Sequence, residues 1–147
     1  MRARDLMTTN VATVSSLDFI STAAEMMRLY GVGMLPVLDP EASLHICGVI
    51  TDRDIAMRCV ARRHRDSCLV GDHMTPAPLA TVGPEDSVET ILETMERRKV
   101  RRVPVVEEGD VLVGVISQAD LVLRVGAREP FRIEQLLESV SVRVKVG

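Results

Sequence analysis

The chain has 147 residues, enough for one domain or two small ones sharing a core, and 46% of them are hydrophobic. A net charge of −3 at pH 7 argues against binding nucleic acid or an anionic membrane through bulk charge. Its apolar runs fall short of the roughly 20 residues a membrane helix needs. "MRARDLMTTN" lacks the apolar centre of a secretion signal, and three cysteines without framework spacing read as reduced thiols, so the expected location is cytoplasmic.

With one tyrosine, two phenylalanines and no tryptophan, the core must be aliphatic, and eight methionines are available to fill its gaps. A short opening ends in Met7-Thr8, and a brief strand is expected over 12–14. A helix comes next, with Ile20, Ala23, Ala24 and Met27 on one face and Asp18 at the N-cap position. The strands "LPVL" and "ICGVIT" flank the loop "DPEAS" as a hairpin, and a second helix begins at Asp52. The stretch "RRHRDSCLVG" is charged, has no apolar period and reads as a linker.

The same order then returns. Asp5, Met7 and Thr8 match Asp72, Met74 and Thr75 at an offset of 67; Pro36-Val37 matches Pro104-Val105 at 68; Gly48-Val49-Ile50 matches Gly114-Val115-Ile116 at 66. In the second copy Val88, Ile91, Leu92 and Met95 form the helical face, with Asp86 as N-cap and Glu89 completing a capping box. "VPVV" and "LVGVIS" repeat the hairpin, and the last helix begins near Gln118. This divides the chain into 1–66, a first repeat with its linker; 67–126, a second repeat; and 127–147, an extension. In the extension Ile133, Leu136, Leu137 and Val140 make a helical face. Val140, Val142, Val144 and Val146 then alternate like a strand, expected to pair with a partner subunit or open a further domain.

A unit of roughly 60 residues buries little surface by itself, so two copies are expected to share one core. The paired motifs "VGMLPVLD" and "VRRVPVVE", "GVITDRDI" and "GVISQADL", "DLMTT" and "DHMTP" resemble the cystathionine-β-synthase (CBS) domain, over roughly residues 3 to 125. The resemblance implies a stand-alone tandem CBS pair. Its fold would be α/β (α+β): two repeats, each a small three-stranded sheet with two helices, around a pseudo-twofold axis. It further implies a regulatory module, not an enzyme, paired with a second chain as a homodimer. Such a module binds an adenosyl ligand (AMP, ADP, ATP or S-adenosylmethionine) in the cleft between repeats and signals its state to an effector protein. No cofactor is required on this reading. The alternative is a ligand-independent dimerisation module with vestigial pockets.

Thr51-x-x-Asp54 and Ser117-x-x-Asp120 fall where a strand meets a helix, and a hydroxyl with an acid three residues on is a capping box. The resemblance adds a second role, in which the aspartate takes ribose hydroxyls and the hydroxyl residue reaches ribose or phosphate. A carboxylate can accept from two vicinal hydroxyls at once. Before the strand proline the second copy has Arg101-Arg102 where the first has Gly33-Met34, and arginine suits phosphate through its planar fork of donors. Arg101, Arg102, Ser117 and Asp120 are therefore the expected phosphate-competent pocket, and Thr51 with Asp54 a second pocket of weaker phosphate attraction. Thr13 and Thr81 are candidates to line the adenine.

"ERRKVRR" ends a helix, where cations suit the dipole, and has no aromatic neighbour for base stacking, so nucleic acid is not an expected partner. Cys59, His64, Cys68 and His73 recur every four or five residues, but without the tight pairs typical of structural zinc, and no metal site is assigned. No nucleophile–base–acid set is recognisable.

Overall fold

The computed structural model describes the backbone of residues 1–65 and 67–146, with side chains through Val140. In chain order the elements are α1 (Ala3–Leu6), β1 (Val14–Ser15), α2 (Ile20–Tyr30), β2 (Met34–Leu38), β3 (Ile46–Thr51) and α3 (Asp52–Asp54). A π-helical segment (Ile55–Val60), a 3-10 turn (Val70–Asp72) and β4 (Thr75–Pro76) close the first repeat. Then come α4 (Val88–Arg98), β5 (Arg102–Glu107), β6 (Val111–Ser117), α5 (Gln118–Val125) and α6 (Pro130–Val146). The mixed α/β class is as expected.

The residues gather into two compact units, but not in simple chain order. One unit is Ala12–Leu79; the other joins Met1–Val11 to the segment from Ala80 onward. In the Ala12–Leu79 unit the sheet order is β1-β2-β3-β4. β1 runs parallel to β2 through Val14 and Val37, and β2 pairs antiparallel with β3 through Leu35 and Ile50. β4 adds to β3 through Gly48–Pro76 and Val49–Thr75. The other unit repeats the arrangement around β5 and β6, whose ladder runs from Arg102–Ser117 to Glu107–Val111. A parallel bridge, Val82–Val105, flanks β5 and an antiparallel bridge, Thr8–Val115, flanks β6. Each expected three-stranded sheet thus gains a fourth edge from the Met-Thr opening of the other repeat.

This edge explains a glycine in each repeat. A Cβ on Gly48 would lie 2.5 Å from Met74 Sδ and 2.8 Å from the Thr75 carbonyl oxygen. A Cβ on Gly114 would lie 2.7 Å from Met7 Sδ and 2.9 Å from the Thr8 carbonyl oxygen. The methionine could move; the backbone oxygen is held by the strand pairing. Glycine is what lets the edge segment close onto the sheet.

The helices bury the faces their periodicity marks. α2 buries Ile20, Ala23 and Met27, although Ala24 is exposed, and α4 buries Ile91, Leu92 and Met95. α2 ends in Gly31 at φ 63°, the left-handed cap that glycine adopts without steric cost. α4 ends in Lys99 in the same conformation, φ 55°, where a Cβ is disfavoured. Leu35, Val37, Ile50 and Val70 belong to the core of one unit, and Val103, Ile116 and Leu121 to that of the other.

Four sequence expectations need correction. Asp18 and Asp86 are not N-caps: the caps are Phe19 and Ser87, and the carboxylates accept instead from the Ser15 and Gly83 amides, each at 2.8 Å. One residue too early for the helix, each closes the preceding turn. Glu89 makes no capping box but pairs with Arg132 of α6. The linker is not a free connection, because Val70 is fully buried and its amide donates to the Asp18 carbonyl at 2.8 Å. Among its described residues the extension has no strand: α6 continues through Val146 and buries Ile133, Leu136 and Val140 in the core of its own unit. Val140 lies seven residues after Ile133, so the apolar face keeps the helical period and no glycine or proline interrupts it. The placement of the Val142, Val144 and Val146 side chains lies outside the described residues.

Candidate functional site

In both units the hydroxyl–aspartate pair forms a complete capping box at a strand-to-helix corner. Asp54 accepts from the Thr51 amide at 3.1 Å, and Thr51 Oγ1 accepts from the Asp54 amide at 3.0 Å. Asp120 Oδ2 accepts from the Ser117 amide at 2.8 Å and from Ser117 Oγ at 2.9 Å, and Ser117 Oγ in turn accepts from the Asp120 amide at 3.1 Å. These bonds satisfy helix-terminal amides that otherwise have no intrahelical partner. All four residues are half-buried, so the carboxylates are held in place yet open to solvent on one side.

The environments of the two carboxylates differ. Asp54 has Arg58 Nε at 3.6 Å from its Oδ1, a cation one helical turn away. Asp120 uses only Oδ2 in the box, and its Oδ1 has no hydrogen-bond partner among the described residues. Asp120 therefore keeps one oxygen available to a hydroxyl donor.

The arginine pair belongs to the same corner as Ser117 and Asp120. Arg102 opens β5 directly opposite Ser117, and the Gln118 amide donates to the Arg101 carbonyl at 2.8 Å. Arg101 is exposed and Arg102 half-buried. Thr81 sits on the far side of β5, one residue before Val82, whose amide donates to Pro104. Two guanidinium groups, a hydroxyl and a carboxylate thus share one end of one small sheet.

The matching corner of the Ala12–Leu79 unit has the same backbone and other chemistry. The Asp52 amide donates to the Gly33 carbonyl at 2.9 Å, as Gln118 does to Arg101. A Cβ on Gly33 would lie 2.9 Å from Asp52 Oδ2, so the first repeat presents an acid where the second presents arginine. Thr13 is half-buried just ahead of β1, in the position of Thr81, and Arg53 is exposed. The expected residues therefore fall into two sets, one per unit: Arg101, Arg102, Ser117, Asp120 and Thr81; and Thr51, Asp54 and Thr13.

Sequence reasoning missed Arg58, whose spacing of four residues from Asp54 on a helix was a readable signal. It also missed Arg132, which binds Glu89 and Glu96 on α4 and holds α6 in place; these two carboxylates push the guanidinium pKa further up. No local pattern joins residues that far apart. Among the described residues, no helix is long and apolar enough to cross a membrane.

Comparison with known proteins gives the same architecture. The CBS domain family model matches residues 3–60 and again 70–126. The CBS domain-containing protein YhcV of Bacillus subtilis is 36% identical over 118 residues, covering 80% of this chain and 81% of its own. A solved structure of Hypoxic Response Protein I with two coordinated zinc ions superposes with a TM-score of 0.77 at 30% identity, over 85% of this chain and 99% of that one. CBSX2 in complex with AMP superposes with a TM-score of 0.70 at 26% identity, over 90% and 98%. A duplicated strand-and-cap plan, matched twice by one family model and by relatives over about four fifths or more of their length, makes this chain a member of the CBS-domain family, as a tandem pair.

Proposed function

We propose that this CBS pair is a regulatory module that binds an adenosyl ligand at the Arg101–Arg102–Ser117–Asp120 corner and signals its occupancy to an effector protein. The observation that carries this reading is the corner itself. Asp120 keeps Oδ1 for a ribose hydroxyl while Oδ2 holds the cap, and two arginines at the same strand end supply donors for phosphate. CBSX2 holds AMP, and the CBS pair of protein MJ0100 holds 5-methylthioadenosine and S-adenosyl-L-methionine, which supports an adenosyl ligand as the class. Thr81 is assigned to the adenine side. The corner of Thr51 and Asp54, with Thr13, offers a second pocket better suited to an uncharged adenosine group. In this proposal the chain acts as a cytoplasmic homodimer, without a required cofactor or a catalytic step. A ligand shifts the module only by its differential affinity for two states.

A second reading, a ligand-independent dimerisation module, is favoured by the completeness of both capping boxes: each is satisfied without any ligand. Thermal melting with AMP, ADP, ATP and S-adenosylmethionine separates the two. A ligand at about a hundred times its Kd stabilises by about 2.7 kcal/mol, a rise of roughly 5–10 °C for a chain of this size. Asp120→Asn can keep an acceptor for the cap while removing the charge, and should weaken binding by about 1.5–3 kcal/mol. Absence of any ligand-dependent shift supports the dimerisation reading. A shift unchanged in the variant moves the site away from Asp120.

A further inference from the structure

The stretch that looks like a linker carries His64 and Cys68, His73 follows two residues after its end, and the fold of the Ala12–Leu79 unit brings their ligating atoms together. One such atom from each residue lies within 4.8 Å of the other two. His64 Nδ1 and His73 Nε2 are 2.9 Å apart, with the rings edge to face at 76°. His73 is buried, and its Nδ1 lies 3.1 Å from the Leu69 carbonyl oxygen. A carbonyl there fixes the hydrogen on Nδ1 and leaves the Nε2 lone pair aimed at the cluster, an arrangement common behind metal-bound imidazoles. The backbone is pinned at each ligand. The Ile20 amide donates to the Cys68 carbonyl at 2.7 Å, the His64 amide to Cys59 at 3.0 Å, and the His73 amide to Val70 at 3.0 Å.

We propose that His64, Cys68 and His73 bind a zinc ion, with solvent or an exchangeable ligand in the fourth position. Two imidazoles and a thiolate form a borderline-soft donor set that suits zinc. A tetrahedral ion with ordinary Zn–N lengths holds two nitrogens about 3.3 Å apart, so the histidine pair opens by about 0.4 Å while the thiolate closes by about 1 Å. His64 is exposed and lines a groove of about 400 Å³, which leaves that side of the site open. The absence of a tight pair along the chain does not count against the site, because the 3-10 turn between Cys68 and His73 supplies the approach that sequence spacing lacks. Cys59 stands apart: it is buried, with Sγ 3.9 Å and 3.8 Å from the His64 and Arg65 carbonyl oxygens.

The test is metal titration of the full chain after stripping with a chelator. Zinc is added in competition with a chromogenic chelator, and cobalt(II) is tracked by absorption. The expected result is about one zinc per chain, and a thiolate-to-cobalt charge-transfer band with the visible bands of a tetrahedral ion. Cys68→Ser should abolish the charge-transfer band. His64→Gln, at an exposed position, should weaken zinc by at least about tenfold, and Cys47→Ser should leave both signals intact. No stoichiometric zinc on the wild type, or binding unchanged in both Cys68→Ser and His64→Gln, would overturn the proposal and leave the histidines a hydrogen-bonded pair. The readout contains no nucleotide, so it stands or falls separately from the adenosyl reading.

Discussion

Beyond the capping box the two units part company. In the Ala12–Leu79 unit, α3 passes at once into a π-helical segment, and the chain turns back so that Cys59 and Val70 complete the core. In the other unit, α5 runs from Gln118 to Val125 and α6 supplies Ile133, Leu136 and Val140 instead. Repeat positions 25 and 28 hold an ion pair, Glu25–Arg28; the matching Glu93 and Glu96 are both acidic, and the cation for Glu96 is Arg132 of α6. The box thus sets only the first turn of the helix. Past that turn, the course of the chain is decided by which later segment covers the same apolar surface, and that cover carries the compensating charges with it.

Substitutions can break or sharpen this contrast. The largest effect is expected for Leu136→Ala, about 2–5 kcal/mol in urea unfolding, against within about 0.5 kcal/mol for the more exposed Leu137→Ala. Equal effects would mean that α6 does not complete the core. Next comes the shared edge: Gly114→Val and Gly48→Val should each cost about 1–3 kcal/mol by overpacking. Gly83→Ala, where the nearest atom stands 3.8 Å from the added carbon, is the control expected to change little.

The ion pairs should rank by burial. Arg132→Met, at a largely buried guanidinium, should cost about 1 kcal/mol, and Arg28→Met, at an exposed one, measurably less. In the first repeat the Arg28 hydrogen bond holds the Glu25 carboxyl below its ordinary pKa. A depressed acid contributes above its unfolded pKa and loses that contribution as pH falls through the folded value. The Arg28 effect should therefore shrink as pH falls below the ordinary carboxylate range and vanish once pH passes the lowered folded-state value, which an NMR titration of Glu25 in wild type and variant would check. A change of opposite sign is expected at the helix ends. Lys99→Gly should stabilise by up to about 1 kcal/mol by relieving the left-handed backbone, an amount reduced by loss of the 2.8 Å bond from Lys99 Nζ to Ser139. Gly31→Lys should do the reverse, and melting of both variants tests whether the two caps are interchangeable.

Much of the plan was legible because its signals are local. The helix faces, both hairpins and both hydroxyl–aspartate boxes can be read from spacing within a few residues. The Met-Thr and Gly-Val-Ile motifs were equally visible, but not that they meet, since Met7 and Gly114 touch across more than a hundred positions. Asp18 and Asp86 misled because a turn amide three residues back competes with the helix for the same carboxylate. The valines of the tail misled because alternation over a few residues fits either period, and the deciding fact is the buried face upstream at Ile133 and Leu136. At the candidate site, the residue types and the Arg102–Ser117 adjacency could be read from the hairpin, whereas the unshared Asp120 Oδ1 is a matter of rotamer that no pattern encodes.

The traded edges say something about how such a chain can be cut or built. A break between the repeats near residue 66 would give each fragment the opening that belongs to its sibling's sheet, with a methionine seated on the wrong glycine. A chain of one repeat folding by these rules could finish its sheet only by exchanging openings with a second copy. In that light the tandem protein is a domain-swapped dimer made covalent, and what joins its halves is a reciprocal loan of about ten residues in each direction.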